Sequence, residues 1–218
     1  ALLDALGKAL EKPVYQLFAK KKVRDYVPVS WWNMEAPPDV LATEAKLAMA
    51  SGYTSHKIKA RPWFDIYQQI EEIDRSTSAE YLIDVDWNGQ LLDAARAVPV
   101  LERLNGFSKI GLYEDPIPRD DIAGQSELLG ICERPLLTHF FEEWSAEQLD
   151  ARSVDGYVID GGISRVLRIG EEIDARGLGG FIQLCGSDIT VAMTLHLGAV
   201  IQGACHPYVS MVTSFTHK

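Results

Sequence analysis

The sequence predicts an α/β fold of the TIM-type barrel class, in which parallel strands are surrounded by outer helices. Three observations lead to this prediction. Short apolar segments alternate with amphipathic helical segments along the 218 residues. The predicted strand ends recur every 22 to 28 residues, a spacing typical of parallel strands joined by helical crossovers. About eight strands are predicted without a Gly-rich first turn, which favours a barrel over an open doubly wound sheet.

The predicted elements follow one another in a regular order. An amphipathic helix over 1–11 ends before Pro13, because proline cannot continue a helix. A strand is predicted over 27–32, and Gly52 ends the helix over 40–50 that follows it. The later strands are rich in Val, Ile, Leu and Tyr, as expected when both faces are covered. These strands are predicted over 55–61, 81–86, 108–114, 135–141, 156–160, 180–185 and 208–213, and the helices over 65–74, 90–104, 121–129, 145–151, 164–175 and 189–200.

Composition limits the partners and the compartment. The chain is 47% hydrophobic, which suits one large domain or two small ones with a sizeable core. Its net charge of -10, without a basic block, argues against nucleic-acid binding. Three cysteines without a CxxC motif indicate neither disulfides nor a zinc-thiolate site, so we expect a reducing, cytoplasmic location. No apolar run suits a membrane span, and the N-terminal segment does not resemble a signal peptide.

Two lysines one residue apart, Lys57 and Lys59, lie in the second predicted strand. Residues i and i+2 of a strand point to the same face, so the two ammonium groups would project together and repel each other. Suitable anions, Asp86 and Glu114, end the next two strands. Because catalytic groups of such barrels lie at the C-terminal ends of strands, we expect these four side chains to converge.

Carboxylates that converge from successive strands also need a cation. Asp84 lies on the same strand face as Asp86, and Asp115 follows Glu114 directly. A hard divalent ion such as Mg²⁺ relieves the repulsion between such groups and prefers oxygen ligands. The alternative is that these polar residues cap the following helices. That alternative stays open, above all for Asp115 and Asn88.

Four short motifs, which occur one per strand and in a fixed order, resemble the enolase superfamily, in the branch of mandelate racemase and muconate lactonizing enzyme. They are Lys57-Ile58-Lys59, Asp86-x-Asn88, Tyr113-Glu114-Asp115-Pro116 and Asp160-Gly161-Gly162-Ile163-Ser164. The resemblance implies a modified (β/α)7β barrel over 27–218. It also implies that residues 1–26 form a leading helix and linker from an N-terminal capping domain that is missing from this chain.

The resemblance further implies Mg²⁺-dependent removal of a proton α to a carboxylate, through an enediolate intermediate. Such reactions belong to racemases, epimerases, cycloisomerases and sugar-acid dehydratases. By resemblance Lys59 is the general base, while Lys57 lowers its pKa and neutralises the substrate carboxylate. Asp86 and Glu114 are the implied metal ligands. The implied partner is a small carboxylate, such as an acid sugar, and family barrels often form homo-oligomers.

The chain departs from the family pattern on three later strands. On the fifth strand Phe140 stands where the family has an acid, so the adjacent His139 is the predicted third metal ligand. The alternative is that His139 is a satisfied polar group at a strand end. On the sixth strand Asp160, directly before Gly-Gly, is the catalytic candidate. On the seventh strand Cys185 stands where the mandelate racemase type has a histidine. The second acid or base of the reaction is therefore unassigned.

Three residues near the strand ends are predicted to contact the substrate, namely Asn88, Trp32 and Cys185. Core packing is the alternative for Trp32, and an inert buried thiol is the alternative for Cys185.

Two other functions stay open from the sequence. The imperfect third ligand, the unassigned acid or base and the expected lack of a capping domain suit a catalytically impaired or non-catalytic homologue or fragment. Alternatively, Lys57 or Lys59 forms a Schiff base with a carbonyl substrate, as in an aldolase.

Overall fold

The computed structural model describes residues 2–142, 145–184, 188–204 and 209–210. Strands and helices alternate along these residues, which confirms the α/β class. The strands are β1 (Val29–Trp32), β2 (Ser55–Lys59), β3 (Leu82–Asp86), β4 (Ile110–Glu114), β5 (Leu136–His139), β6 (Gly156–Ile159), β7 (Gly179–Ile182) and β8 (Val209–Ser210). The helices are α1 (Leu2–Ala9), α2 (Pro38–Ala50), α3 (Ile66–Ser76), α4 (Ala94–Asn105), α5 (Ile122–Leu129), α6 (Ser145–Ala151), α7 (Ile163–Ala175) and α8 (Asp188–Gly198), with a short 3-10 helix at Val14–Leu17.

The largest difference from the predicted helix limits lies before α4. The sequence predicts a helix from residue 90, but α4 begins at Ala94 because Asp93 caps it. The Asp93 side chain accepts a hydrogen bond of 2.9 Å from the Arg96 amide. Leu92, just before the cap, has a φ of 73°, which is incompatible with a continuous helix. The start of α4 thus coincides with a side chain able to satisfy a free amide of its first turn.

Residues 30–158 form one compact unit in which β1 to β6 lie side by side in chain order. Each strand pairs in parallel with the next one along the chain. Helices α2 and α3 pack against each other, as do α4 and α5. Parallel pairing with helical crossovers is the arrangement that the strand spacing predicts.

A bulge in β4 decides which acids face each other. Ile83 pairs with Ile110, but the next residue, Asp84, pairs with Leu112, so that Gly111 is skipped. Asp86 therefore lies opposite Glu114. A continuous register would have placed the residue before Glu114 there. Since side chains alternate between faces, the skipped glycine puts both acids on one face.

Residues 1–29 and 159–218 form the second compact unit. Within its described part, β7 packs against α7, α8 and β8. Arg24 fixes the end of α8, because its guanidinium donates hydrogen bonds to the carbonyl oxygens of Gly198, Ile201 (2.7 Å) and Gln202 (2.5 Å). These carbonyls follow or end a helix and would otherwise lack donors. Among all described helices, none is both long and apolar enough to cross a membrane.

Candidate active site

The lysines of β2 lie opposite the acids of β3. The parallel register pairs Lys57 with Asp84 and Lys59 with Asp86. Through the bulge, Asp86 in turn lies opposite Glu114 of β4. The structure thus brings together the four side chains that the sequence predicts to converge.

Lys57 is completely buried among these acids. Its Nζ contacts Oε2 of Glu114 and lies 3.2 Å from Oδ2 of Asp86, and both of these acids are also completely buried. Burial alone would lower the pKa of Lys57, but the negative charges of Glu114, Asp86 and Asp84 outweigh burial and raise it. Lys57 is therefore a permanent cation whose charge balances buried carboxylates.

Lys59 is the more accessible lysine, with 13% of its side chain exposed. Its Nζ contacts Oδ2 of Asp86 and donates a hydrogen bond of 3.0 Å to Oδ1 of Asn88. Asn88 has a left-handed backbone, with a φ of 49°, and its amide donates to Oδ1 of Asp86 at 2.9 Å. Arg61 donates to the same Asn88 oxygen at 2.8 Å. Asn88, predicted as a substrate contact, therefore orients the candidate base.

Glu114 has spare capacity to bind a cation. Its Oε2 contacts Lys57, whereas its buried Oε1 accepts no hydrogen bond from any described residue. That oxygen lies 3.8 Å from Nδ1 of His139. Burial, together with the charge of Asp86, raises the pKa of Glu114 well above its usual range. A bound divalent cation would reduce the repulsion between Glu114 and Asp86 and would give Oε1 of Glu114 a partner.

Asp115 has no such spare capacity. Its Oδ1 accepts hydrogen bonds from Oγ1 of Thr138 (2.9 Å) and from the His139 amide (3.1 Å). Its Oδ2 accepts from Nδ1 of His139 (2.6 Å) and from Nε of Arg119 (2.8 Å), and lies 2.7 Å from Nη2 of Arg119. Burial opposes ionisation, but His139 and Arg119 hold the pKa of Asp115 well below its usual range. Both carboxylate oxygens of Asp115 are thus occupied by hydrogen bonds, and the group is ionised.

Neither Asn88 nor Asp115 caps a helix. The caps of α4 and α5 are Asp93 and Asp121, and both accept hydrogen bonds from first-turn amides. The capping alternative for Asn88 and Asp115 is therefore excluded. Asp115 also has a left-handed backbone, with a φ of 43°. Such strain persists only where the surroundings fix the conformation, and here both residues lie at strand ends among charged groups.

The residues present fit a divalent metal ion. One ligand atom each from Glu114, Asp115 and His139 lie within 4.8 Å of one another. Because Asp115 is saturated, the ligands with capacity are Glu114 and His139, with Asp86 as a further carboxylate. The buried Oε1 of Glu114, without a donor among the described residues, is the clearest sign that a cation belongs here.

The remaining predicted residues are less informative. Trp32 is buried at the end of β1, opposite Lys57 in the register. Asp160 follows β6 in the second unit, where its Oδ1 lies 2.7 Å from Nη1 of Arg165. Cys185 lies outside the described residues. The catalytic and substrate-binding roles of these residues remain predictions.

Phe140, which stands where the family pattern predicts an acid, directly follows β5. Its side chain is buried and packs edge-on against Tyr157, with ring centroids 5.4 Å apart. An acid in that apolar position would be buried without a partner. His139 is therefore the polar residue that β5 brings to Glu114 and Asp115.

Two arginines that contact the candidate site are not predicted from the sequence, namely Arg61 and Arg119. Arg61 continues the alternation of Lys57 and Lys59 by two residues, which is the one signal for it in the sequence. Arg119 follows Asp115 by four residues, but a proline-containing loop separates them, so no helical spacing points to their contact.

A family model, described as enolase C-terminal domain-like, matches residues 40–217. The chain therefore belongs to the enolase superfamily, as the C-terminal barrel domain of the mandelate racemase and muconate lactonizing enzyme branch. This match confirms both the resemblance and the barrel class that the sequence predicts.

Curated relatives carry several activities. Arabinonate dehydratase of Saccharolobus solfataricus is 25% identical over 224 residues, which cover 97% of this chain and 58% of that protein. N-succinyl-L-Arg/Lys racemase of Bacillus cereus is 29% identical over 138 residues, covering 63% of this chain and 37% of that protein. The chain thus spans at most about three-fifths of the length of these relatives.

A solved structure confirms the fold. Dipeptide epimerase of Enterococcus faecalis, complexed with Mg and the dipeptide L-Leu-L-Tyr, has a TM-score of 0.83 and 21% identity to this chain. The similarity covers 96% of this chain and 60% of the epimerase.

Proposed function

We propose that this chain is the barrel domain of an enzyme that removes a proton α to a carboxylate with the help of a divalent metal ion. The observation that carries the proposal is the arrangement of β2 to β4. The partly exposed Lys59 is held beside Asp86, and Asp86 lies opposite the buried Glu114, whose second oxygen lacks a hydrogen-bond donor among the described residues.

Lys59 is the proposed general base. In its neutral form its Nζ accepts the α proton, and the electron pair of the broken C–H bond moves into the carboxylate to give an enediolate. Return of a proton to the α carbon gives the epimer, whereas departure of a β-hydroxyl as water, with the proton that Lys59 removed, gives the dehydrated product. Asn88 keeps Lys59 in place for this transfer.

Mg²⁺ is the proposed cofactor, since it is bound in the related dipeptide epimerase complex. Held by Asp86, Glu114 and His139, it would supply the positive charge that makes the α proton of a bound carboxylate more acidic. Lys57 is completely buried, so its proposed part is to keep the charge of Asp86 and Glu114 balanced. With this charge between them, the carboxylates of Asp86 and Glu114 can lie close together despite their repulsion.

The substrate class and the remaining roles are also proposals. The names of the relatives support a small carboxylate, either a sugar acid or an acylated or dipeptide-type amino acid. Asp160 is the proposed second acid or base, and Trp32 and Cys185 the proposed substrate contacts, on the family pattern alone. A cytoplasmic homo-oligomer is the proposed form of the protein.

The test is deuterium exchange at the α carbon of arabinonate, N-succinyl-arginine and L-Leu-L-Tyr in D₂O with added Mg²⁺ or Mn²⁺. Lys59→Ala is expected to slow exchange by about 10² to 10⁴ fold, the usual contribution of a general base. Asp86→Asn is expected to abolish the metal dependence. Lys46→Ala, on the exposed face of α2, is the matched control and leaves exchange unchanged. Equal rates in Lys59→Ala and the parent chain would refute the base assignment.

A catalytically impaired homologue is the second candidate, favoured by the buried Phe140 at the position of the family acid. It predicts weak or absent Mg²⁺ binding in a calorimetric titration and no exchange on any of the three acids. A Schiff-base mechanism has less support, because Lys57 is completely buried and cannot reach a carbonyl substrate. Borohydride trapping at Lys59 would reveal that chemistry.

A further inference from the structure

We infer that the chain carries a second ligand site, in a cleft between α3 and α4, and that this α3–α4 cleft binds a small monocarboxylate with an aromatic body. The cleft has a volume of about 320 Å³, at the lower end of the range for small-molecule sites. It lies within the compact unit of residues 30–158. None of Lys59, Asp86 and Glu114 lines it, so the inference does not depend on the proposed function.

The walls of the α3–α4 cleft are largely apolar and partly aromatic. Helix α3 contributes Ile66 and Tyr67, and α4 contributes Val100. The loops that follow β2 and β3 contribute Phe64 and Trp87. Trp87 is buried, with 3% of its surface exposed, whereas Phe64 and Tyr67 are half-buried. The cleft therefore reaches from solvent to a buried residue, and its aromatic side chains suit a flat apolar group.

Arg61 brings to the cleft a positive charge that no described acid balances. Its Nη1 donates hydrogen bonds to the carbonyl oxygens of Ala60 (2.7 Å), Trp87 (3.3 Å) and Asp86 (3.4 Å). Its Nη2 donates to Oδ1 of Asn88 at 2.8 Å. All of these acceptors are uncharged, and within the described ranges the guanidinium forms no ion pair. A half-buried charge without a counter-ion is unfavourable, and this charge points to an anionic ligand.

Arg103 of α4 provides a second positive charge at the cleft. Its Cζ lies 3.6 Å from the centroid of the Tyr67 ring, so the guanidinium is held over an aromatic wall. No acid in the described part of the chain forms an ion pair with it. Asp65, the acid among the described lining residues, accepts hydrogen bonds from the amides of Tyr67 (2.9 Å) and Gln68 (3.3 Å) at the start of α3. Two arginines against one aspartate leave a positive charge that a single carboxylate would balance.

The walls and the charges of the cleft together define the ligand class. An inorganic anion such as phosphate would balance the arginines but would leave the apolar walls in contact with water. A neutral apolar molecule would cover the walls but would leave the charge of Arg61 unbalanced. A carboxylate attached to an aromatic ring does both, since a guanidinium can bind a carboxylate through two parallel N–H groups.

The first experiment uses the unmodified chain without divalent metal and three compounds, namely naphthoate, its neutral amide naphthamide, and acetate. In calorimetric titrations naphthoate is expected to bind about ten-fold more tightly than naphthamide, because the arginines bind its charge. Acetate is expected to show no binding at the same concentrations, because it lacks the aromatic body. Equal affinities for naphthoate and naphthamide, or for naphthoate and acetate, would overturn the inference.

Two variants and a control locate the bound naphthoate. Arg103→Gln is expected to weaken naphthoate binding by about three-fold, a usual effect for an exposed charge, and to leave naphthamide binding unchanged. Val100→Trp places a large ring in the cleft and is expected to abolish binding of both compounds. Arg75→Gln makes the same change as Arg103→Gln at an exposed position in the last turn of α3, outside the cleft, and is expected to change neither affinity. Parent-like naphthoate affinity in both Arg103→Gln and Val100→Trp would refute the inference.

Lys59→Ala separates the α3–α4 cleft from the candidate active site, which is also proposed to bind carboxylates. This variant is expected to bind naphthoate as the parent chain does. Binding that is lost in Lys59→Ala but unchanged in Arg103→Gln would place naphthoate in the active site and overturn the inference. Naphthoate binding without deuterium exchange would support the inference and count against the enzyme proposal. Circular dichroism shows whether each variant folds, and the three compounds with Arg103→Gln decide the matter if Val100→Trp does not.

Discussion

Nζ of Lys57 lies 3.2 Å from Oδ2 of Asp86, and both side chains are completely buried. Because Lys57 also contacts Glu114, one buried ammonium group contacts two buried acids from neighbouring strands, and Lys59 contacts the first of them as well. A buried charge that loses its partner costs far more than an exposed one. The candidate site is therefore also part of what holds β2, β3 and β4 together.

Replacing Lys57 by methionine should destabilise the chain by roughly 3–5 kcal/mol, the usual cost of leaving a buried charge unpaired. Urea-induced unfolding, followed by circular dichroism, measures this loss. A divalent metal is expected to recover part of the lost stability, because it binds the folded state and replaces the missing positive charge.

The matched control is Lys8→Met in α1. Lys8 pairs with Asp4 at 2.8 Å, but both side chains are exposed to solvent. Such a pair contributes little, so this variant should unfold at the same urea concentration as the parent chain. Equal losses in the two variants would contradict the view that burial makes the Lys57 contacts important.

Substitutions of Asn88 should release Lys59. Asn88→Gly and Asn88→Ala both remove the oxygen that accepts from Lys59 and Arg61. Acylation of Lys59 by a small amine-reactive reagent, followed by peptide mass spectrometry, should become several-fold faster in both variants. The exposed Lys46 serves as the internal reference within each sample.

The same two Asn88 variants should differ in stability. The φ of 49° at this position is adopted easily by glycine but not by alanine. Asn88→Ala is therefore expected to be about 1 kcal/mol less stable than Asn88→Gly in urea unfolding. Unchanged acylation of Lys59 in both variants would show that the Asn88 side chain does not position the lysine.

His56 should make the fold sensitive to acid. Burial lowers the pKa of His56 from its ordinary value of 6.5 to about 3. Between these values the unfolded chain binds a proton that the folded chain does not, so stability falls as the pH falls below 6.5. The loss attributable to His56 approaches about 1.4 kcal/mol per pH unit.

His56→Gln removes this titration while offering an amide to Asn33, which His56 contacts through Nε2. Unfolding free energies between pH 7 and pH 5 should therefore fall less steeply in the variant than in the parent chain. The carboxylates titrate in both proteins, so their contribution to the pH dependence cancels when the two proteins are compared. Parallel pH profiles would mean that His56 does not account for any of the acid sensitivity.

Gly170 of α7 should tolerate no side chain. A Cβ at this position would lie 2.6 Å from Cγ2 of Ile201 and 2.8 Å from its Cδ1. Overpacking of this kind lowers the free energy of unfolding by about 1–3 kcal/mol. Alanine stabilises a helix by about 1 kcal/mol relative to glycine, so the gain does not exceed the loss. Gly170→Ala should therefore lower the melting temperature of the chain.

The Ile201→Ala background tests that explanation. With the isoleucine side chain removed, Gly170→Ala should become neutral or stabilising, because only the helix propensity remains. A loss of the same size in both backgrounds would place the cause outside the contact between Gly170 and Ile201.

The starts of α3, α4 and α5 show which features can be predicted from residues close together in the sequence. Asp65, Asp93 and Asp121 cap α3, α4 and α5 through hydrogen bonds to amides two or three residues ahead. These contacts are local, so a reader of the sequence can find them. The start of α4 at the Asp93 cap is predicted too early, because the sequence gives no sign that Leu92 before the cap adopts a positive φ.

The succession of strands, the period between them and the strand ends at which Lys59, Asp86 and Glu114 occur can be predicted from the sequence alone. These features depend on apolar patterning and on residues close in the chain, so they are visible without coordinates. From the sequence, His139 beside Phe140 is also predicted as a third metal ligand. What the histidine contacts is not visible there.

How these groups meet depends on the tertiary structure. The bulge at Gly111 places Glu114 opposite Asp86. A shift of one residue in this register would put the two acids on opposite faces of the sheet. The contact of Asp115 with His139 joins residues 24 positions apart, across β4 and β5. Such relationships depend on strand register and packing between distant segments, for which the order of residues gives no local signal.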